Sequence, residues 1–235
     1  MTSPIAWDRV ETALLDMDGT LLDLAFDNFF WRELIPQEFA RQQGLAAEDA
    51  REQVLARYEE RAGTLDWYCL DHWEQAFGLD LVALKRKHLA GIRLLPGVET
   101  FLAALAQAGL RRVIATNAHG TTLALKLGQT GLEALVDEVH SSHHLGAAKE
   151  EQAFWSRFRE QLAFEPAAAV LIDDNIAVLD AASEFGIGQC LAISQPDSTR
   201  PPGETTDCSH PVAVGVAALI PQVLAVARGN RPKRA

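Results

Sequence analysis

Five short apolar runs, each ending at a polar residue and separated by helical patterns, constrain the fold of this chain more than any other feature. Thr12 to Leu15 leads to Asp16, Arg112 to Ala115 leads to Thr116 and Asn117, and Leu135 to Val139 leads to His140 and Ser141. Ala169 to Ile172 leads to Asp173 and Asp174, and Gln189 to Ile193 leads to Ser194. Runs this short and apolar read as strands buried on both faces, the habit of parallel sheets. Between them, Val98, Phe101, Leu102 and Leu105 recur at helical spacing up to Gly109. Thr121 to Leu127, Glu150 to Leu162 and Ile176 to Phe185 are further helix candidates. Strand and helix in alternation predict a doubly wound α/β domain with a parallel sheet, whose chemistry gathers at the carboxyl ends of the strands. Asp16, Thr116 and the Asp173-Asp174 pair all fall at such ends.

The first strand–helix unit is interrupted. About 95 residues separate Asp16 from the second run, and residues 26–93 carry no strand signal. They read as helices over Asn28 to Phe39, Ala47 to Arg61, Leu65 to Phe77 and Leu81 to Leu89, punctuated by Gly44, Gly63 and Gly78. A structureless loop of that length is disfavoured in a compact domain. The expectation is an all-helical inserted subdomain over 26–93. Residues 1–25 and 94–227 then form the core, with a return at Leu94-Leu95-Pro96-Gly97. Gln195 to His210 is rich in Pro, Ser and Thr and reads as a loop.

With 235 residues, 48% of them hydrophobic, the chain can bury a large core. Its formal net charge is −11, and residues 228–235, expected to be a disordered basic tail, hold four of the 21 basic residues. The body before the tail sets 17 basic residues against 32 acidic ones, near −15. That balance argues against general binding to nucleic acid or to an anionic membrane. It allows a small anionic substrate, because a cation and one lysine reverse the sign locally. Cys69, Cys190 and Cys208 are sparse and far apart, which suggests neither a disulfide framework nor a zinc site. No apolar run approaches the ~20 residues of a membrane span, and no signal peptide is visible at the N-terminus. A reduced, soluble, cytoplasmic protein, monomeric or weakly dimeric, is expected.

Asp16-Met17-Asp18-Gly19-Thr20 carries the chemistry. If the strand continued to Asp18, both carboxylates would share a face, because strand side chains alternate. Close carboxylates repel unless a cation, a proton or hydrogen bonds offset them. The pair therefore suggests a metal-dependent site, with one oxygen free to attack and a second group able to move a proton. A calcium loop fits poorly, since the twelfth position after Asp16 is Asp27 and not Glu. Lys126 falls mid-helix on an amphipathic pattern, so Lys149 is the better candidate for the site's lysine. Asp180 reads as a surface or orienting group, and His140, His143 and His144 as solvated loop residues.

Four stretches in this order, Leu-Leu-Asp16-Met-Asp18-Gly-Thr20, Val-Ile-Ala-Thr116-Asn117, Lys149, and Leu-Ile-Asp173-Asp174-Asn175, resemble the motifs of the haloacid dehalogenase superfamily across residues ~10–195. The insert looks like that superfamily's helical cap. Leu22 to Asn28, Thr64 to Asp71, Thr116 to His119 and Lys149 to Gln152 look like its GMP/IMP 5′-nucleotidase branch. The resemblance implies that Asp16 attacks phosphorus to give an aspartyl-phosphate, and that Asp18 serves as general acid and then base. It implies Mg²⁺ held by Asp16, the Asp18 backbone carbonyl and Asp174, with Asp173 as a second ligand or supporting acceptor. Thr116 would hydrogen-bond a phosphoryl oxygen, helped by backbone N–H groups near Met17 and Asn117, and Lys149 would neutralise charge. One departure is that Glu150 follows Lys149, where many relatives carry Pro.

The implied substrate is a small phosphorylated metabolite, a purine nucleoside monophosphate. Phe29, Phe30, Trp31, Trp67, Tyr68 and Trp73 supply aromatics to the insert, most of them expected in its core, with Trp67 or Tyr68 facing the cleft. The alternatives are a broad small-metabolite or sugar phosphatase, a phosphomutase sharing the aspartyl-phosphate, a dehalogenase, and a non-catalytic binding protein on the same fold.

Overall fold

A computed structural model describes residues 5–203 and 208–228. Strand β1 (Thr12–Leu15) is followed by the helices of the insert: α1 (Ala25–Phe29), α2 (Ile35–Gln43), α3 (Ala47–Glu59), α4 (Leu70–Phe77) and α5 (Leu81–Lys87). Then come α6 (Val98–Gln107), β2 (Arg111–Thr116), α7 (Gly120–Thr130), β3 (Glu138–Ser141), α8 (Ser142–Leu145) and α9 (Gln152–Leu162). The chain continues through β4 (Ala169–Asp173), α10 (Ile176–Phe185), β5 (Gln189–Ile193), β6 (Val212–Ala213) and α11 (Ile220–Arg228). Of the expected basic tail only Arg228 lies among the described residues.

The strands form one sheet in the order β3-β2-β1-β4-β5-β6, with every pairing parallel. Leu15 sits opposite Ile114 on one side and Ile172 on the other, so Asp16, Thr116 and Asp173 emerge at nearly one level of the same rim. β1 lies where the strand order reverses, the place at which such sheets open a crevice.

Strand side chains alternate between two apolar layers. Ala13, Leu15, Ile114, Val170 and Ile172 enter one layer, while Leu14, Val113, Ala115 and Leu171 enter the other with Phe154, Trp155 and Phe158 of α9. The first layer runs without a break into the helical insert, where Phe30, Ile35, Val54, Trp73 and Leu81 are fully or almost fully buried. Tyr58 meets Trp73 edge-on at 4.8 Å between centroids and Trp67 at 5.6 Å, and Trp73 stacks on Phe77. Most insert aromatics are therefore packing residues.

Three details depart from the sequence pattern. The helix expected over Leu65 to Phe77 breaks at Cys69 into a 3-10 turn (Leu65–Tyr68) and α4. The run Leu135 to Val139 slides toward the C-terminus, with Leu132–Leu135 in a 3-10 turn and β3 starting at Glu138. β3 is an edge strand, only half-buried over Glu138 to His140, which is why Glu138 is tolerated there, paired with Arg111. The two-residue β6 is too short to leave a pattern. Among the described residues, no helix is long and apolar enough to cross a membrane.

Candidate active site

β1 stops at Leu15, although the Asp16 N–H still donates to the Ile172 carbonyl at 2.9 Å. The chain then turns. The N–H groups of Leu21 and Leu22 donate to the Met17 carbonyl at 2.9 and 2.7 Å, and the Met17 side chain is fully buried. The strand does not continue to Asp18, so strand alternation does not set the two carboxylates on a common face; they join different lysines. Gly19 makes the turn possible at φ +92°, and a Cβ there would fall 2.5 Å from an Asp174 carboxylate oxygen. Only glycine passes under Asp174 in that conformation.

Lys149 Nζ donates to Asp16 Oδ1 and, at 2.7 Å, to Asp173 Oδ2. Its backbone is fixed on both sides: the N–H donates to Asn117 Oδ1 at 3.0 Å, and the carbonyl accepts from Trp155 Nε1 at 2.8 Å. Asn117 is thus a bracket for the lysine's loop. Thr116 is buried, and its Oγ1 accepts from the Ala118 N–H at 3.0 Å, which leaves the hydroxyl proton free to point into the cleft. Asp174 completes the group, with carboxylate oxygens of Asp16, Asp173 and Asp174 all within 4.8 Å of one another.

These three carboxylates face one ammonium. Burial drives Asp16 well above its usual range, with Asp173 and Asp174 adding to the rise against the pull of Lys149. Burial likewise raises Asp173, and burial with the neighbouring Asp173 charge pushes Asp174 up to about 7. Lys149 is held protonated far above its normal value, its own burial outweighed by the Asp16 and Asp173 charges. A surplus of buried negative charge on hard oxygen donors is the environment that suits Mg²⁺.

Asp18 belongs to a second network. Lys126 Nζ donates to Asp18 Oδ1 and Asp27 Oδ2, each at 2.6 Å, and Lys85 Nζ lies 3.5 Å from Asp27 Oδ1. Lys85 also sits over the Phe30 ring at 4.2 Å, a cation–π contact, and burial drops its pKa to about 8. Burial raises Asp18 and Lys126 opposes that rise, whereas Lys126 and Lys85 together outweigh burial and hold Asp27 below its ordinary value. Lys126, set aside in the sequence on its helical position, is 2% exposed and is the residue that holds Asp18.

The insert reaches this rim through Tyr68, whose hydroxyl donates to Glu150 Oε1 at 2.6 Å. Asn175 Nδ2 donates to the same oxygen at 3.2 Å, and Asn117 Nδ2 donates to Glu150 Oε2 at 3.0 Å. Glu150, noticed in the sequence as a departure, is therefore a junction of three segments. A cavity of about 490 Å³ lies between insert and core. Asp16, Thr116, Lys149 and Asp174 line it, and so do Trp67 and Tyr68. The three histidines diverge. His140 pairs with Glu138 at 3.1 Å, and His143 is not a solvated loop residue but lies half-buried on α8, its ring 5.0 Å from that of His119. Asp180 is exposed and pairs with His210.

Residues 10–186 match the family of haloacid dehalogenase-like hydrolases. The GMP/IMP nucleotidase YrfG of Escherichia coli (strain K12) is 41% identical over 220 residues, covering 94% of this chain and 98% of the relative. Among solved structures, a HAD phosphatase from Thermococcus onnurineus superposes with a TM-score of 0.75 at 22% identity, covering 92% of this chain and 98% of that one. L-2-haloacid dehalogenase from Xanthobacter autotrophicus superposes at 0.59 with 17% identity, covering 91% and 98%.

Proposed function

Because the chain belongs to the haloacid dehalogenase-like hydrolases, we propose that it is a Mg²⁺-dependent phosphomonoesterase working through an aspartyl-phosphate on purine nucleoside 5′-monophosphates. One observation carries the reading: Asp16 lies in a carboxylate-rich group with a single lysine, while Asp18 is held apart on a lysine of its own. Nucleophile and proton carrier thereby sit in separate environments, which lets one be ionised while the other exchanges a proton. GMP and IMP are the favoured substrates because the chain is 41% identical to a GMP/IMP nucleotidase along nearly its whole length.

An Asp16 oxygen attacks phosphorus, the ester P–O bond breaks, and Asp18 delivers its proton to the leaving 5′-oxygen. Water then attacks the phosphoryl group, Asp18 takes the water's proton, and the bond to Asp16 breaks to release phosphate. Lys149 neutralises Asp16 and the phosphoryl oxygens, and the Thr116 hydroxyl with N–H groups of the Met17 and Asn117 turns orients them. Asp16, Asp173, Asp174 and the Asp18 carbonyl would hold Mg²⁺, which supplies further charge neutralisation when bound. The helices of residues 26–93 act as a cap over a core of residues 1–25 and 94–227, with Trp67 and Tyr68 beside the base and water kept from the phosphate.

A panel of GMP, IMP, AMP, UMP and glucose 1-phosphate, scored by kcat/KM in Mg²⁺, tests the reading. GMP and IMP are expected to lead by about tenfold or more, a discrimination that polar contacts to a base edge readily supply. Equal values would remove the base preference and leave a broad phosphatase. Undiminished turnover in EDTA would overturn the metal.

A further inference from the structure

We propose that Cys69, His119 and His143 form a site for a zinc-type divalent cation on the seam between the helical insert and the core. Cys69 joins the 3-10 turn of the insert to α4, His119 precedes α7, and His143 lies in α8. Their sulfur and ring-nitrogen atoms are within 4.8 Å of one another. Tetrahedral zinc holds such ligand atoms about 3.3–3.6 Å apart, so small side-chain rotations close the trio.

Two buried ring nitrogens mark the place. Nδ1 of His119 has no hydrogen-bond partner, and Nε2 of His143 has none of ordinary geometry, its ring making only marginal contacts with backbone groups of Asn117 and Tyr68. Buried polar atoms left unpaired are costly and uncommon, and a cation would satisfy both at once. The other nitrogen of His119 already has a neighbour: Asp71 Oδ2 lies 3.8 Å from Nε2, outside hydrogen-bond distance but on the side from which a carboxylate can orient a metal-binding imidazole.

The donor chemistry separates this trio from the Asp16, Asp173 and Asp174 group. Thiolate and imidazole favour zinc and its soft neighbours, whereas the carboxylates favour Mg²⁺. Three protein ligands leave a fourth position for water. Cys69 comes from the insert and the histidines from the core, beside the Tyr68–Glu150 contact. An ion bound there ties the two together and slows the opening of the cleft that product release requires.

Co²⁺, added with Mg²⁺ in excess, reports the site without any turnover. One equivalent is expected to give tetrahedral d–d bands and a thiolate-to-metal charge-transfer band in the wild type and in Cys208→Ser. Both should be lost in Cys69→Ser and weakened at least tenfold in affinity in His143→Ala, with circular dichroism confirming folded variants. Absent bands in the wild type, or bands unchanged in Cys69→Ser and His143→Ala, would overturn the site. Zn²⁺ should then inhibit Mg²⁺-supported phosphate release at least tenfold more strongly in the wild type than in Cys69→Ser; equal inhibition would overturn the tie between insert and core. The spectra do not depend on the substrate, so they stand or fall apart from the nucleotidase reading.

Discussion

Lys126 shows how a single buried charge organises the site. It sits in the middle of α7 among Leu123 and Leu127, where a helical pattern alone suggests a solvated lysine snorkelling past an apolar face. The structure buries it between Asp18 and Asp27, carboxylates 108 and 99 residues away in sequence. A buried ammonium is stable only with such partners, and its loss strands them. Lys126→Met is expected to lower kcat by about 100-fold, the lower end of what a misplaced acid–base group forfeits. It should also destabilise the fold by about 3 kcal/mol, the usual result of breaking a buried pair. Phosphate-release assays and urea unfolding measure the two; a kcat within twofold of wild type would reduce Lys126 to a packing role.

At the scale of elements, the loop holding Asn117, the loop between β4 and α10 and the Leu65–Tyr68 turn meet at Glu150. Its two oxygens accept from Tyr68, Asn175 and Asn117. Hydrogen bonds to an ionised group contribute about 1.5–3 kcal/mol each. Glu150→Ala is therefore expected to lower kcat/KM by roughly 10- to 100-fold, with Glu150→Gln recovering part of it, as steady-state kinetics would read. An unchanged kcat/KM in Glu150→Ala would show that the insert docks without this junction. These elements also mark where sequence reading reaches its limit. The rim residues Asp16, Thr116 and Asp173 were visible because each directly follows an apolar run, with Asp174 next to Asp173, and periodicity is a local signal. Glu150, Lys126 and the Cys69, His119, His143 group were not, because their meaning lies in partners from distant segments that no spacing records. β6 escaped for a different reason, since two residues cannot display alternation.

For the molecule as a whole, the site opposes stability. Three buried carboxylates share one ammonium at the tips of the sheet, so like charges repel in a medium that screens poorly. Asp174, pushed up to about 7, exerts its full repulsion only above that pH. A raised carboxyl pKa means stability falls as pH rises toward 7 and stays lowered beyond it. Asp174→Asn should accordingly melt higher than the wild type in EDTA at pH 8, with the gap shrinking at pH 6. A cation that binds only the folded chain adds about 2.7 kcal/mol at 100 times its Kd, and Mg²⁺ is the cation to test. At about 2–4 °C per kcal/mol for a chain of this size, the wild-type Tm should rise by roughly 5–10 °C. Asp174→Asn should show no such rise, and it should be more stable than the metal-free wild type yet inactive, since the repulsion that weakens the fold is the same charge that would hold the cation. Calorimetry with and without Mg²⁺ decides it: an undiminished Mg²⁺-dependent rise in Asp174→Asn would place the cation somewhere other than between the tips of β1 and β4.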